Sequence, residues 1–490
     1  MNEEHISNLY FETLHLYFRI LAKLKTWHHH KKKEVDKMEL DYLQIREMPS
    51  YNDPTHYNKI EHLMEKEWNE INKFKYRSYT EIKAWQFERI RELVVYAYNN
   101  IPLYRHKYDE AGIDIAKFCS WKDFERLPIV YKEEIIKGFP DEIVADRSSY
   151  THTVRSSGTQ GQFVTIGVSD EAFYRDTILG IRQFEYQNPS VFTEQDCVLF
   201  IYGSPWAVSS INGKYRHDFV SMYGDIEECV CAIQNKHPTV IRAYPSLLKR
   251  LTEVVGRLDI YGVKSIICCS EPSDRRFRNM LENHFLVTVL DEYASEELTR
   301  IALECPYKNY HLEEDSCYAE IVDIESKKIV PYGTQGLLIG TNLLNEATPL
   351  IRYCQGDIAC IIGEDLECNC GSHFRKMMPP AGRLLDSILT KDGRIIPGSY
   401  LIEVAYNWLY YQDIPLHGWQ YQIIQEENYS VHVYIVPYRS NVSNKMKRDI
   451  VDSFDSLFKD GTEVILHIVD RLPYVHGKKN RVVMSKVKRS

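Results

Sequence analysis

Apolar side chains recur every three or four residues in the first hundred positions of the chain. This spacing predicts an amphipathic helix over residues 6 to 27, with an apolar face formed by Ile6, Tyr10, Leu14, Tyr17, Leu21 and Leu24. Similar patterns predict helices within residues 56 to 75 and 80 to 108. The basic run HHHKKK after the first helix fits either a solvated helix end or a helix lying on an anionic membrane or a partner. We expect the solvated helix end.

The pattern changes near residue 150, where Gly-rich turns begin to alternate with short apolar runs. CVLFIYG at residues 197 to 203 and SIICCS at residues 265 to 270 have the length and composition of buried β-strands. A further candidate strand carries Cys229 and Cys231, whose alternate positions would place both thiols on one face. Because helical patterns lie between these runs, this part of the chain predicts an α/β body.

The last hundred residues read as a separate unit. The predicted elements are a strand at 394–398, a helix at 400–410, strands at 419–425 and 429–438, a helix at 445–458 and a strand at 463–469. This β-α-β-β-α-β order predicts a small α+β domain.

Composition narrows the class of protein. The chain has 490 residues, of which 44% are hydrophobic and 26% charged, as in a globular protein of two or three domains. With 60 basic and 69 acidic residues the net charge is -9, which argues against nucleic acid as a partner. The sequence shows neither a secretory leader nor an apolar run long enough for a transmembrane segment. We therefore expect a cytoplasmic protein whose 12 cysteines are thiols or metal ligands.

One segment has the chemistry of a phosphate-binding loop. RSSGTQGQ, at residues 155 to 162, lies between the β-type runs THTV and FVTIGV. Its hydroxyls, backbone amides and two glycines could hold a polyphosphate, although no GK[ST] closes it as in a Walker loop. Taken alone, it is better described as an ordinary Ser/Thr/Gly hairpin.

Further segments follow in a recognisable order. They are SEP (270–272), DEYASEELTRIALEC (291–305), RYCQGD (352–357), GRLLD (382–386) and LPYVHGKKNR (472–481). With SSGTQG (156–161) they resemble the motifs SSGTTG, YGxxE followed by a Cys, YxTGD, GRxxD and LPxxxxGK of the adenylate-forming superfamily. The resemblance spans about residues 85 to 485. Within the superfamily, the chain resembles the phenylacetate-CoA ligase branch and its capsule-polysaccharide-type relatives.

The resemblance implies a fold and a division into domains. It implies an α/β protein with a helical extension over residues 1–84, a large multi-subdomain adenylating body over 85–384, and a small mobile α+β lid over 385–490. Gln162, Ala294 and Leu385 depart from the motifs. Leu385 stands at the hinge between body and lid, which bears on whether the lid reaches a second, CoA-accepting position.

It also implies an ATP site with Mg²⁺. The resemblance assigns ATP binding to Ser156, Ser157, Gly158, Thr159, Gln160, Gly161, Ser270, Glu271, Pro272, Asp291, Glu292, Tyr293, Ala294, Asp357 and Arg383. Within this set it places Tyr293 against the adenine, Asp357 on the ribose hydroxyls and Arg383 near the ribose and phosphate. It makes Glu297 the Mg²⁺ ligand and Lys478 the catalytic cation. The plainer interpretation of Lys478 is a solvated basic tail.

Three cysteines and a histidine suggest a second metal. Cys305, His311, Cys368 and Cys370 are a sufficient set for a closed, structural Zn²⁺ site, with Gly371 suited to a tight turn. His373 is a reserve ligand. The alternative is four unrelated side chains.

The expected activity is activation of a carboxylic acid as an acyl-adenylate, with transfer to CoA. Transfer to an amine, sugar or carrier protein is the alternative, and a non-catalytic scaffold retaining the fold is an alternative of another class. The resemblance implies an acyl pocket lined by Tyr202, Trp206, Tyr244 and Cys269, although these side chains also suit core packing. A homodimer is the default expectation for assembly.

Overall fold

The computed structural model describes residues 51–146, 148–156, 164–398, 400–402, 404, 420–437, 442–455, 457–458, 460–473 and 482–487. The helix predicted over residues 6 to 27 lies outside these residues, as do residues 157–163 of the phosphate loop and Lys478.

The first described elements are the helices predicted from apolar spacing. They are α1 (Pro54–Phe74), α2 (Tyr79–Asn100), α3 (Pro102–Glu110) and the short α4 (Trp121–Glu125). The Asp53 side chain accepts hydrogen bonds from two backbone N–H groups of the first turn of α1, and Ser78 and Glu81 form a capping box at the start of α2. These caps fix where each helix begins. Tyr51 and Ile60 pack in one apolar cluster with the body, so this segment shares a core with it.

A nine-stranded sheet lies at the centre of the body. Its strands are β4 (Cys197–Tyr202), β5 (Arg216–Ser221), β6 (Val240–Ala243), β7 (Ser265–Cys268), β8 (Thr288–Ser295), β9 (Thr299–Glu304), β10 (Tyr310–Leu312), β14 (Ile361–Gly363) and β15 (Lys376–Met377). In the order β5-β4-β6-β7-β8 the strands are parallel, and β9, β10, β15 and β14 extend the sheet antiparallel. The strands predicted at 197–203 and 265–270 are confirmed.

Helices accompany these strands, as expected of an α/β body. They are α5 (Lys132–Gly138), α6 (Asp170–Gln187), α7 (Ile226–Lys236), α8 (Pro245–Leu251) and α9 (Arg275–Phe285). The strand predicted around Cys229 and Cys231 is wrong, because both residues lie in α7. Acidic residues in the first turn and an apolar stripe favour a helix there. On a helix, residues i and i+2 point about 200° apart around the axis, so the two cysteines lie on different sides. Cys229 is accordingly buried, whereas Cys231 is exposed.

A second sheet carries the RYCQGD and GRLLD segments. It contains β1 (Val130–Tyr131), β11 (Cys317–Val322), β12 (Gly336–Asn342), β13 (Tyr353–Ala359) and β16 (Gly382–Arg383). The order is β1-β13-β12-β11, and β16 pairs with β13 so that Asp357 lies opposite Arg383. The register thus brings together two residues that are far apart in the sequence.

The phosphate-loop segment joins two short strands. β2 (His152–Arg155) and β3 (Thr165–Val168) pair antiparallel, as the runs THTV and FVTIGV predict. The hairpin therefore brings Ser156 and Val164, on either side of the loop, together.

The C-terminal unit has the predicted α+β composition. The hairpin of β17 (Ile388–Leu389) and β18 (Ile395–Ile396) precedes β19 (Gln420–Gln425), β20 (Val431–Val436), α10 (Asn444–Asp455), β21 (Val464–Ile468) and β22 (Val483–Ser485). The sheet order is β21-β20-β19-β22, and its core includes Ile388, Val433 and Phe454. Of the helix predicted at 400–410, residues 400–402 and 404 are described and are helical. Among the described residues, no helix has both the length and the apolar character needed to cross a membrane.

Candidate functional site

The carboxyl ends of the parallel strands form the first part of the site. Tyr202 ends β4, Tyr244 follows β6 and Cys269 follows β7, so three predicted acyl-pocket residues meet at one edge of the sheet. The rings of Tyr202 and Tyr244 stack with centroids 4.9 Å apart. Burial raises the pKa of the Cys269 thiol to about 12, so this cysteine is a neutral, apolar wall.

Trp206 lies apart from that pair. Its ring is 5.2 Å from Phe200 and 5.7 Å from His217, and the Arg300 guanidinium lies 5.7 Å from its centroid. These contacts are those of a residue packed on the sheet beneath the edge. Its assignment to the acyl pocket remains a prediction.

The SEP segment continues from β7 at the same edge. Ser270 adopts a left-handed backbone with φ 64°, and its hydroxyl lies 2.8 Å from that of Tyr202. The Glu271 carboxylate accepts hydrogen bonds from the backbone N–H of Ser246 at 2.9 Å and from its hydroxyl at 3.1 Å. Glu271 thus links the SEP segment to the first turn of α8.

Asp291 and Glu292 point to opposite faces of β8, and both carboxylates are bonded inside the protein. Asp291 accepts hydrogen bonds from Tyr310 at 2.5 Å and Ser273 at 2.8 Å. Burial raises its pKa to about 6. Both carboxylates thus have partners within the protein, and the role of these two residues in ATP binding stays a prediction.

Glu292 pairs with a cation that the sequence analysis did not single out. Arg242, on β6, donates to Glu292 at 2.6 and 3.0 Å, and Gln183 donates at 2.7 Å. Burial opposes ionisation of Glu292, yet the guanidinium lowers its pKa. The sequence did contain a sign of this pair, namely an arginine inside the short apolar strand VIRA. A buried cation needs a buried anion as its partner.

Tyr293, Asp357 and Arg383 converge, as the resemblance implies. The Tyr293 hydroxyl donates to Asp357 Oδ2 at 2.6 Å, and Arg383 Nε lies 3.5 Å from Asp357 Oδ1. Gln355, which the sequence analysis did not assign, donates to Asp357 Oδ2 at 2.7 Å. Burial raises the pKa of Asp357, and Arg383 opposes this shift.

Glu297 lies near this group on the turn after β8. It is 7% exposed, and burial raises the pKa of its carboxyl group, while Arg383 and Lys132 lower it. Its backbone carbonyl accepts a hydrogen bond from Asn342 at 2.9 Å, which anchors the turn. A buried carboxylate is a suitable ligand for a hard cation such as Mg²⁺. Lys132, at the start of α5, is a further cation that the motifs did not indicate.

The phosphate loop is described only at its ends. The Ser156 N–H donates to the carbonyl of Val164 at 3.0 Å, and the Val164 N–H donates to the Ser156 hydroxyl at 3.0 Å. These bonds close the base of the loop. Ser157, Gly158, Thr159, Gln160 and Gly161 lie outside the described residues.

Cys305, His311, Cys368 and Cys370 come together, as predicted. Their ligand atoms all lie within 4.8 Å of one another. The Cys305 and Cys368 sulfurs are 3.9 Å apart, and Cys370 Sγ lies 3.4 Å from His311 Nε2. Three sulfurs and one imidazole nitrogen are the donor set of a closed tetrahedral zinc site, so these residues fit that metal.

The surroundings of this cluster orient its donors. Gly371 has φ 77°, and its N–H donates to the Cys368 carbonyl at 2.8 Å, which makes the tight turn. His311 Nδ1 lies 3.0 Å from the Phe374 carbonyl, so Nδ1–H donates there and Nε2 faces the sulfurs. A hydrogen bond from Cys305 lowers the pKa of the Cys370 thiol. His373 instead pairs with Asp365 at 3.2 Å and is not part of the cluster.

Comparison with known proteins identifies relatives of this chain. The chain is 26% identical over 331 residues to a phenylacetate-coenzyme A ligase of Thermus thermophilus, covering 64% of this chain and 73% of the relative. It is 24% identical over 344 residues to the enzyme of that name from Escherichia coli, covering 67% and 77%. No protein-family model matches the chain.

A solved structure shows the same fold. The 2-hydroxyisobutyryl-CoA ligase, in complex with an acyl-AMP, aligns with TM-score 0.69 and 17% identity over 84% of this chain and 92% of that one. The alignment extends through most of both chains, including a C-terminal domain. The chain is therefore similar in sequence to phenylacetate-coenzyme A ligases and shares the fold of the 2-hydroxyisobutyryl-CoA ligase.

Proposed function

We propose that this protein is an ATP- and Mg²⁺-dependent ligase that activates a carboxylic acid as an acyl-adenylate and transfers the acyl group to CoA. The observation that carries the proposal is the convergence of Tyr293, Asp357 and Arg383 beside the buried Glu297. These residues come from three separate sequence motifs. A scaffold without activity would have no need to keep a buried anion next to a ring and a guanidinium in this arrangement.

Each of these residues has a separate role in the first half-reaction. A carboxylate oxygen of the acid attacks the α-phosphorus of ATP, a new C–O–P linkage forms, and the bond to pyrophosphate breaks. Tyr293 offers a flat face to the adenine, Asp357 accepts hydrogen bonds from the ribose hydroxyls, and Arg383 supplies positive charge near the ribose and phosphate. Glu297 would hold Mg²⁺, whose charge offsets that of the phosphates. These groups align two anions that otherwise repel each other.

The acid would enter at the strand edge beside Tyr202, Tyr244 and Cys269. The stacked tyrosines and the neutral thiol make an apolar wall, while the hydroxyls of Tyr202 and Ser270 offer polar contacts. This lining suits an acid with a flat or apolar body.

We further propose that the Cys/His cluster binds a structural Zn²⁺. A fourth protein ligand leaves no open position, which argues against catalysis by this ion. Because the cluster ties the β9–β10 turn to residues 368–371, the metal would stabilise the body. A cytoplasmic location, homodimeric assembly and the domain boundaries at residues 84 and 384 remain proposals based on sequence.

The test is pyrophosphate exchange. Purified protein is incubated with ATP, labelled pyrophosphate and a panel of acids, with and without CoA. We expect acid-dependent exchange without CoA, followed by thioester formation when CoA is added. Exchange with no thioester, but with an amide or ester formed from a supplied amine, sugar or carrier protein, would favour transfer without CoA. ATP binding with no exchange across the panel would favour the scaffold.

Asp357→Ala provides the matching mutational test. Loss of charge-assisted hydrogen bonds to the ribose should weaken ATP binding by about 1.5 to 3 kcal/mol. Calorimetric titration of parent and variant with ATP measures this difference. A variant with parental ATP affinity would contradict the assignment of Asp357.

A further inference from the structure

Gln355 makes contacts that no motif resemblance assigns to it. Its Nε2 donates hydrogen bonds to Asp357 Oδ2 at 2.7 Å and to the Tyr293 hydroxyl at 3.1 Å. The Tyr293 hydroxyl donates to the same Oδ2 at 2.6 Å, so the three side chains form a closed triangle. Gln355 stands where the YxTGD motif has its threonine. A shorter hydroxyl side chain could not reach both partners in the same way.

The triangle divides the Asp357 carboxylate into two unequal oxygens. Oδ2 receives both of these donors, whereas Oδ1 faces Arg383 Nε at 3.5 Å, a longer and weaker contact. An oxygen that already accepts two hydrogen bonds has little capacity for a third partner. Oδ1 is therefore the oxygen left for a ligand, and the torsion of the carboxylate is set by Gln355 and Tyr293.

The amide orientation of Gln355 is itself informative. Among the residues that the structure describes, its Oε1 is buried and has no hydrogen-bond partner. The opposite orientation would place an amide oxygen against the carboxylate, which is repulsive. The amide is thus held by its donors alone, at the cost of an unsatisfied acceptor.

We propose that Gln355 is a positioning residue for the nucleotide ribose, which holds Asp357 Oδ2 so that Oδ1 accepts hydrogen bonds from the ribose hydroxyls. This inference rests on the proposed function, because it takes ATP to be the ligand. It adds a residue that acts through Asp357 rather than on the nucleotide itself.

Gln355→Met tests this role, since methionine is unbranched and of similar size but has no donor. The affinities of parent and variant are measured for ATP and for 2′,3′-dideoxy-ATP by calorimetric titration. We expect the variant to bind ATP about tenfold more weakly and the dideoxy analogue unchanged, a loss equal to about one charged hydrogen bond. Turnover at saturating ATP should change less than twofold.

Gln86→Met is the matched control. Gln86 also lies in a buried site, donates to a carboxylate at 2.6 Å and has an Oε1 without a partner among the described residues, but its carboxylate is that of Glu314. It should reproduce any loss of stability without altering the preference for ATP over the analogue. If Gln355→Met does not fold, Gln355→Ala carries the same expectation, because residue 355 is only half-buried.

A double variant shows whether Gln355 acts through Asp357. Added to Asp357→Ala, Gln355→Met should cause no further loss of ATP affinity. A further loss, equal losses for both nucleotides, or a parental preference for ATP would each overturn the proposal. Failure of the parent to bind ATP would instead refute the proposed function on which it rests, so the two failures are distinguishable.

Discussion

Buried carboxylates characterise the proposed nucleotide site at the scale of single residues. Asp357, Glu297 and Asp291 all have raised pKa values, each with burial as the main cause. Their partners differ. Asp291 accepts hydrogen bonds from Tyr310 and Ser273 and lies 3.6 Å from Arg278, whereas the pKa of Glu297 is lowered by a backbone hydrogen bond and by the charges of Arg383 and Lys132. An anion held this way is suited to bind a cation, whereas Asp291 is suited to a structural role.

Glu297→Gln should impair adenylation far more than folding. The amide keeps the size of the side chain but removes the anion that would bind Mg²⁺, so pyrophosphate exchange should fall by at least about tenfold and require more Mg²⁺. Exchange rates are measured against Mg²⁺ concentration, with melting temperature as the check on folding. Glu296→Gln is the control, because Glu296 is the adjacent, exposed carboxylate. A folded Glu297→Gln protein with the parental Mg²⁺ dependence would refute the assignment.

Asp291→Asn should change how stability depends on pH. Burial raises the pKa of Asp291 from 3.8 to about 6, so between these values the folded state retains a proton that the unfolded state releases. The contribution of this group to the free energy of unfolding is full below pH 3.8 and is lost as pH rises through 6. We measure the free energy of unfolding of parent and variant in urea from pH 4 to 7. The value for the variant should rise relative to that of the parent up to pH 6. A difference that does not vary with pH would contradict this account.

Secondary-structure elements were largely predictable from the sequence, with one instructive failure. Apolar spacing gave α1 and α2, and buried runs gave β4 and β7, because each pattern matches the period of its element. The strand predicted around Cys229 was wrong, because two cysteines at alternate positions do not by themselves distinguish a strand from a helix. The residues of the proposed nucleotide site were predicted only where they match a residue of a motif. Arg242 and Lys132 lie outside the motifs and Gln355 departs from one, and their contacts depend on strand register and on partners distant in sequence.

The turn elements that carry the Cys/His cluster give a prediction at the scale of elements. Cys370→Ser should lower zinc content from about one ion per chain to near zero and lower the melting temperature, because the β9–β10 turn and residues 368–371 lose their common ligand. Zinc is measured by atomic emission on freshly purified protein that has met no chelator. Cys231→Ser is the control, since that thiol is exposed on α7. Absence of zinc from the parent protein would refute the metal assignment.

At the scale of the whole molecule, the body and the C-terminal unit have separate cores. The proposed nucleotide residues Tyr293, Asp357 and Arg383 all lie on body strands, while Val433 and Phe454 pack within the C-terminal sheet and helix. The 3-10 turn at Leu384–Asp386 directly follows β16, which carries Arg383. The segment that leaves the proposed nucleotide site therefore leads into the C-terminal unit, and we propose that this unit supplies a residue to the reaction.

Lys478 is the residue that we expect it to supply. It lies outside the described residues, so its role is argued from the sequence LPYVHGKKNR, in which it directly follows the glycine as the motif requires. A cation at the α-phosphorus is needed where negative charge gathers in the transition state, and losing one such contact typically costs about 10² to 10³ in rate. Lys478→Ala should therefore nearly abolish acyl-adenylate formation while ATP affinity and melting temperature stay close to parental values.

Lys479→Ala is the matched control for this prediction, because the two lysines are adjacent and only their register to the glycine differs. It should do little. Pyrophosphate release is measured for both variants, and supplied acyl-adenylate is then offered with CoA. Since Lys478 would act only in the first half-reaction, Lys478→Ala should still consume that intermediate. If Lys478→Ala released pyrophosphate at a near-parental rate, or if Lys479→Ala lost more, the solvated basic tail would be the better account of Lys478. The cation would then have to come from another residue, and Arg383 and Lys132, whose charges act on Glu297, would be the candidates.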